Sequence, residues 1–406
     1  MLIDNLDPYF KKIVQYDYRG INLNFRVSQM LFSSQGVDHG TQRLLRSFIF
    51  EKIDTYHKVL DFGCGYGPIG IALKRFCPTS IIHMVDRDAL ALEFSRQNSS
   101  INNVNDIKIY ASLGYDDIID TDFDLIASNI PAKIGEKALE HVLKDARFYL
   151  RPGGRAAVVV IGAIADYVER ALASDTGIKI LFRRAWPGHV VFHYSFIENK
   201  TLTKPKVSAF DRGIFDREKN DFSVGSLDFI MQTAYGLSEF DTLSYETKLL
   251  IDNLRYLKDH PLGNVVIFNP GQGYIAVALS LHSKINNLIL IGRDLQSLRV
   301  SKRNLMLNSY PEKNIFLLHQ IDMSQISQEQ ADHIVGVFDE KDGLVIHSAY
   351  MNQAASHLSE KGLIIISSTS TAITRIEKFI RTKKNLEILE KKKLKGRSLI
   401  MIKHKN

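Results

Sequence analysis

The feature that most constrains this chain is internal repetition: landmarks of the first half recur in the second, in the same order, at an offset of 208 residues. Val59-Leu-Asp-Phe-Gly-Cys-Gly65 matches Ile267-Phe-Asn-Pro-Gly-Gln-Gly273, with Gly63 on Gly271 and Gly65 on Gly273. Leu150-Arg-Pro-Gly-Gly154 matches Leu358-Ser-Glu-Lys-Gly362, and Gly188 and Gly396 each precede a strand-like run. Between the first two landmarks a two-residue slip brings Asp88 onto Asp294 and Asn98 onto Asn304. Shared order and offset are what a duplication leaves, and 406 residues are enough for two cores. The expected domains are 1–200 and 225–406. Residues 201–224 form a charged linker between them, with Lys204-Pro-Lys206 and Asp216-Arg-Glu-Lys219 and no sustained apolar periodicity.

Within the first half, short β-branched runs alternate with helical stretches: 58–62, 69–76, 81–85, 89–98 and 125–128. That alternation predicts an α/β fold, a mostly parallel sheet with covering helices, and ligands at the carboxyl ends of the strands. The longest apolar run, Ala156 to Ala165, is half a membrane span, and the first seven residues lack the pattern of a secretory leader. Two cysteines, Cys64 and Cys77, are too few for a disulfide framework or a zinc cage. No membrane, no metal and a reducing cytoplasm are the resulting expectations. The thirteen histidines include no HExxH motif, the single four-residue spacing, His189 to His193, falls in a strand-like run, and no nucleophile elbow marks a hydrolase.

Asp61-Phe-Gly63-Cys-Gly65-Tyr-Gly67 follows a buried strand and opens a helix, so the backbone can turn tightly and approach a ligand closely. Gly65-Tyr-Gly67-Pro-Ile-Gly70 satisfies the dinucleotide pattern, which brings nicotinamide and flavin cofactors into consideration. Asp61 favours S-adenosylmethionine (SAM), because an anion ending the strand suits a cationic sulfonium amino acid and sits poorly beside a pyrophosphate. Asp86 closes the next strand, where a carboxylate accepts ribose hydroxyls in either cofactor.

Downstream, Asp124-Leu-Ile-Ala-Ser-Asn129-Ile-Pro131 ends another strand. Together with Phe32-Ser-Ser-Gln-Gly-Val-Asp38-His-Gly40-Thr41, the glycine loop, Asp86 and Tyr110-Ala-Ser112, it resembles the methyltransferase small domain family, best known from duplicated ribosomal RNA guanine-N2 methyltransferases. The resemblance covers residues 20–195 well and the second half as a worn copy. It implies two tandem Rossmann-like class I methyltransferase domains with mostly parallel seven-stranded sheets, the second degenerate. His189 to Phe196 would be the reversed strand ending the first sheet. Asp38, Gly40 and Thr41 would close over the methionine end of SAM, Gly63, Gly65 and Gly67 would line it, and Asp86 would hold the ribose. Ser112 and Leu113 would border the adenine, Leu113 standing where many relatives have Asp or Asn. Asn129, Ile130 and Pro131 would form the catalytic motif, the Asn129 amide oxygen and the Ile130 carbonyl accepting the two hydrogens of a target amino group. Ile130 replaces a proline, and Ala132 stands where relatives place the aromatic that stacks on a flipped base. Phe32, Tyr66 and Trp186 are alternative rings, each also readable as a packing residue, and Lys133 could meet a phosphate.

In the second half the same alignment puts Asn269 at the place of Asp61, Pro270 at Phe62, Gly292 at Asp86, Ser348-Ala-Tyr350 at Asn129-Ile-Pro131 and Ser244-Tyr-Glu-Thr247 at Asp38 to Thr41. Residues 374–406 hold twelve Lys/Arg against three Glu, a balance of +9 in a chain of net charge +7. Lys391, Lys392, Lys393, Lys395 and Arg397 could therefore bind phosphates, or be a solvated turn before the last strand. The expected activity is SAM-dependent methylation of an exocyclic amino group, guanine N2, in ribosomal RNA or a ribosomal subunit. The alternatives are methylation of a protein side-chain amide or a small molecule, and a non-catalytic SAM- and RNA-binding protein.

Overall fold

The structure, a computed structural model, describes residues 7–48, 55–197, 202–224, 227–257, 262–324 and 331–405. The N-terminal residues read for a leader, up to position 6, and the first residue of the expected linker lie outside the described residues. The chain divides into two compact units, Tyr9–Phe215 and Asp216–Asn406, the latter taking in Asp7 and Pro8.

The first unit opens with the hairpin β1 (Lys12–Tyr18) and β2 (Ile21–Val27), followed by α1 (His39–Ser47). Then come β3 (Lys58–Phe62), α2 (Pro68–Phe76), β4 (Ile81–Asp86), α3 (Ala89–Ile101), β5 (Ile107–Ala111), β6 (Phe123–Asn129), α4 (Glu136–Lys144), β7 (Leu150–Ile161), α5 (Gly162–Ala173), β8 (Ile178–Trp186) and β9 (His189–Phe196). Seven strands form one sheet in the order β5-β4-β3-β6-β7-β9-β8. Strands β5 to β7 pair in parallel, whereas β9 is antiparallel to both neighbours. The reversed strand expected to end the sheet thus lies inside it, with β8 at the edge, because β8 and β9 form a hairpin around Gly188 at φ +82°.

The second unit repeats this plan: β10 (Asp216–Val224), β11 (Leu227–Ala234), α6 (Tyr245–Asp252), β12 (Leu262–Phe268), α7 (Tyr274–His282), β13 (Ile285–Gly292), α8 (Leu295–Leu307), β14 (Ile315–His319), β15 (Ala331–Val337), α9 (Gly343–His357), β16 (Leu358–Thr369), α10 (Ser370–Arg381), β17 (Leu386–Leu394) and β18 (Arg397–His404). Its sheet runs β14-β13-β12-β15-β16-β18-β17, the same order. Alternate residues of β12 enter different cores: Val265 and Ile267 pack on one face, Val266 and Phe268 on the other. Strands buried on both sides read as unbroken apolar runs for this reason.

Superposing the repeats corrects the register read from the glycines. Positive φ occurs at Gly63 (+75°), Gly65 (+57°) and Gly67 (+96°), and again at Asn269 (+48°), Gly271 (+59°) and Gly273 (+94°). The offset is therefore 206 up to Asn102 and Asn308, and 208 from β5 and β14 onward, two residues having entered between them. Gly67 and Gly273 both sit before the helix as its N-cap. In sheet register Asp61, beside Met84 and Ala127, corresponds to Ile267, beside Leu290 and Val335, and not to Asn269. Asn129, paired with Val159, corresponds to Val337, paired with Ser367. The triplet Ser348 to Tyr350 lies within α9 and has no part in that strand end. Gly292 at the place of Asp86 and Ser244 at the place of Asp38 agree with the alignment, Asp38 and Ser244 being the N-caps of α1 and α6.

The span expected as a linker is more structured than its composition implies. Lys204 donates to the Ile118 and Ile119 carbonyls, and the Asp116 carboxylate accepts from the amides of Ala209 and Phe210. From Asp216 onward the chain is already strand β10, paired with β11 in a hairpin, with Glu218, Lys219 and Asp221 exposed.

In each unit one helix side chain ties the hairpin to the glycine loop. Buried Asn98 accepts from the Arg26 amide at 2.7 Å and donates to the carbonyls of Arg26 (3.0 Å) and Tyr66 (2.8 Å). Asn304 does the same to Gln232 and Gln272. Such a side chain satisfies backbone groups that have no strand partner, so truncation strands several of them. Asn98→Ala should lower the stability of the first unit by about 3 kcal/mol. Urea unfolding followed by the emission of Trp186, the chain's one tryptophan, checks this.

Candidate active site

The site lies at the carboxyl ends of β3, β4 and β6. Asp61 is fully buried, and one carboxylate oxygen accepts the Gly70 amide of α2 at 2.8 Å while the other has no hydrogen-bond partner. Burial pushes its pKa up to about 7, the Gly70 amide opposing the shift and Asp86 adding to it. Such a carboxyl is poised to answer a nearby positive charge.

After β3 the chain turns through the three glycines. The amides of Gly63 and Cys64 both donate to the Val85 carbonyl at 2.9 Å, and the Gly65 carbonyl accepts from Ser95 at 2.8 Å. A Cβ at Gly63 or Gly65 would meet nothing within 4 Å, so the outer side of the loop is open. At Gly67 it would fall 2.7 Å from Met84 and 2.8 Å from Ile71, so this glycine permits close packing of α2 on β4. Asp86 clasps the loop: its carboxylate accepts from the amides of Gly65 (2.9 Å) and Asp88 (3.0 Å). Ser112 is tied to the same strand end, donating its amide to the Asp86 carbonyl at 3.1 Å. Leu113 is buried, its amide held by Asp117 at 3.0 Å.

Asp38, Gly40 and Thr41, expected as a loop, form the start of α1. One Asp38 oxygen accepts from Gly40 (2.8 Å) and Thr41 (3.2 Å), an ordinary N-cap. The same oxygen accepts the Asn129 side-chain amide at 2.9 Å, and Thr41 Oγ1 accepts it at 3.0 Å. Only the NH2 end of Asn129 can donate to a carboxylate, so these two contacts assign the amide and turn its oxygen away from α1. Ile130 is buried and its amide bonds to the Val159 carbonyl at 3.0 Å, which extends β6 past Asn129. Pro131, Ala132 and Lys133 are exposed.

The structure therefore brings Asp38, Thr41 and Asn129 into contact, and Asp61, Asp86 and the glycine loop into a second cluster. Of the alternative rings, Tyr66 is buried against Phe25, its hydroxyl donating to the Gly36 carbonyl at 3.2 Å, whereas Phe32 is 74% exposed. His83 and His193 are core residues; His193 bonds Ser47 at 2.7 Å. Cys64 and Cys77 are buried and form no disulfide. Ser95 and Asn98 both hold the glycine loop; nothing in the sequence marks Ser95, whereas the recurrence of Asn98 as Asn304 is a signal of its role. Lys391, Lys392 and Arg397 are paired with Glu377, Glu390 and Glu246, so much of the C-terminal basic cluster is neutralised locally. Among the described residues no helix is long and apolar enough to cross a membrane.

Comparison with known proteins extends this picture. The sequence profile described as methyltransferase small domain matches residues 22–173 and 230–393. The chain is 30% identical over 151 residues to uncharacterized protein YbxB of Bacillus subtilis, covering 37% of this chain and 74% of that protein. It is 38% identical over 143 residues to ribosomal RNA small subunit methyltransferase C of Haemophilus influenzae, covering 34% of this chain and 42% of that one. The chain thus spans less than half the length of the latter relative. A solved T. thermophilus 16S rRNA N2 methyltransferase, in complex with AdoMet and guanosine, has the same fold over 97% of this chain and 98% of its own, at 15% identity and a TM-score of 0.65. With two copies of the domain matched and two sheets of one topology, the chain belongs to the methyltransferase small domain family of SAM-dependent methyltransferases.

Proposed function

We propose that this chain methylates the exocyclic amino group of guanine, N2, in small-subunit ribosomal RNA, using SAM bound in the first unit. Residues 9–215 are the catalytic domain in this reading, and 216–406 a copy that has lost its site. The observation that carries it is the Asn129 amide, fixed by Asp38 and Thr41 so that its oxygen is left to accept a hydrogen bond. The named relatives support the choice of ribosomal RNA, and a cytoplasmic site of action goes with that reading.

The residues fit the cofactor. SAM supplies a methyl group activated by a sulfonium charge. The open backbone at Gly63 and Gly65 admits a ligand without a Cβ in the way, and Gly67 closes the turn. Asp86 accepts the amides of Gly65 in the loop and of Asp88 at the start of α3, which fixes its carboxylate at the strand end where ribose hydroxyls would be accepted. Ser112 and Leu113 continue from that strand end as the adenine border. Asp61, with one oxygen unpaired, supplies negative potential under the amino-acid end, and Asp38, Gly40 and Thr41 flank it.

At the acceptor, Asn129 Oδ1 and the Ile130 carbonyl each take one N–H of the target amine. Two acceptors on one nitrogen hold its remaining lone pair in a single direction, and alignment of this kind supplies much of the acceleration of an in-line displacement. Pro131 stiffens the chain immediately after these acceptors. In the second unit Ile267, Gly292 and Val337 take the places of Asp61, Asp86 and Asn129, so neither cluster survives.

Labelled methyl should pass from SAM to ribosomal RNA, and ribonuclease treatment of the acceptor should abolish it; label that persists on protein or small molecules would support the alternative acceptors. Asp86→Ala should abolish SAM binding in calorimetry. Asn129→Ala should bind SAM as the parent does while turnover falls about 100-fold, and retained turnover would remove Asn129 from the mechanism. Asp61 is neutral below its raised pKa of about 7, so its attraction for a cationic ligand is gained as pH rises through that value and lost below it. SAM affinity should therefore climb between about pH 5.5 and 7.5, and Asp61→Asn should flatten that rise.

A further inference from the structure

The rim of the sheet beyond Asn129 carries a second arrangement. Because β9 is antiparallel to both neighbours, β8 runs parallel to β7, and Trp186 at its carboxyl end lies at the same end of the sheet as Asn129. The register leads from Asn129 to Val159, and two residues further along β7 from Ile161 to His189 and Trp186. Three strand spacings put Trp186 about 14 Å along the sheet from the acceptor. Helix α1 spans the gap. It starts at Asp38, which holds Asn129; its Gly40 lies so close to His189 that a Cβ would fall 2.9 Å from the ring. From its next turn the Arg43 guanidinium carbon sits 5.7 Å from the Trp186 ring centre, and Arg184 approaches the same ring at 4.8 Å.

Neither arginine has a carboxylate partner among the described residues, and the Arg43 Nε is buried without a hydrogen bond. Arg183, their neighbour on β8, is paired with Glu169 at 3.0 Å, as the C-terminal cations are paired with glutamates. Two guanidiniums stacked on an indole, uncompensated and beside an acceptor site, have their N–H edges available for phosphate oxygens, and a partly exposed indole can stack on a base. We propose that Arg43, Trp186 and Arg184 form a docking platform for single-stranded RNA flanking the target nucleotide. This rests on the RNA-methyltransferase reading above. It assigns recognition to the β8–β9 turn, in a chain whose acceptor loop carries Ala132 and no ring.

Because Trp186 is the only tryptophan, its emission reports on the platform alone. The full chain would be titrated with a fluorescently labelled single-stranded RNA of about 12 nucleotides, following label anisotropy and Trp186 emission together. Binding should quench Trp186. Trp186→Ala should weaken binding about tenfold, whereas Trp186→Phe should retain it. Arg43→Ala with Arg184→Ala should lower the salt slope of log K by about 1.4, the share of two phosphate contacts on a single strand. Arg184 is exposed, so Arg184→Ala alone, at about half that change in slope, covers the case in which Trp186→Ala fails to fold. RNA that binds and is methylated with silent Trp186 and parental affinity in all variants would overturn the platform and leave the acceptor reading standing. RNA that neither binds nor accepts methyl would overturn both.

Discussion

One carboxylate oxygen of Asp38 joins the start of α1 to the end of β6. It caps the helix through the Gly40 and Thr41 amides and takes the Asn129 side chain at 2.9 Å. Because the cap fixes the oxygen and the oxygen admits only a donor, the asparagine amide has one orientation. The helix in turn is held against β7 and β9 by a buried apolar and hydroxyl face that includes Leu44, Leu45 and Ser47, the last bonded to His193. Packing of the helix on the sheet thereby sets the direction of a lone pair at the acceptor.

A second constraint acts on the cofactor side. Two acids, Asp61 and Asp86, stand near each other at the ends of adjacent strands, and the backbone amides of Gly70, Gly65 and Asp88 offset part of the repulsion. Burial, with a smaller addition from Asp86, nevertheless raises the Asp61 pKa and makes its charged form costly to hold. A protein with no cation to bind gains by removing that acid. The second unit has no acid there: Ile267 fills the place of Asp61 and joins an apolar core, while the turn itself persists with positive φ at the same three places. Sheet packing does not depend on these acids, so the same fold stands with Ile267 and Gly292 in their places.

The alternation of apolar runs, the glycine loop and Asp86 were legible in the sequence because each obeys a local rule of period or turn chemistry. The repeat was legible too, but its register was not. Gly63 and Gly65 match Gly271 and Gly273 in letters, whereas the left-handed turn places Asn269 opposite Gly63, and asparagine tolerates that conformation. Nor could spacing reveal that Asn129 meets Asp38, ninety-one positions apart, or that Trp186 lies between two arginines from different elements. Those are tertiary contacts. The strand at 216–224 was hidden for a related reason: a two-stranded ribbon with one solvated face shows its charges and little periodicity.

The most direct test of the account is to incubate the protein with small-subunit ribosomal RNA and methyl-labelled SAM, digest the RNA to nucleosides, and identify the labelled product by mass. The paired acceptors at Asn129 predict label on an exocyclic amino group, which in the proposed reading is N2-methylguanosine. Label on a ring nitrogen, a ribose hydroxyl or a pyrimidine carbon would contradict it, because none of these presents two N–H groups to the paired acceptors.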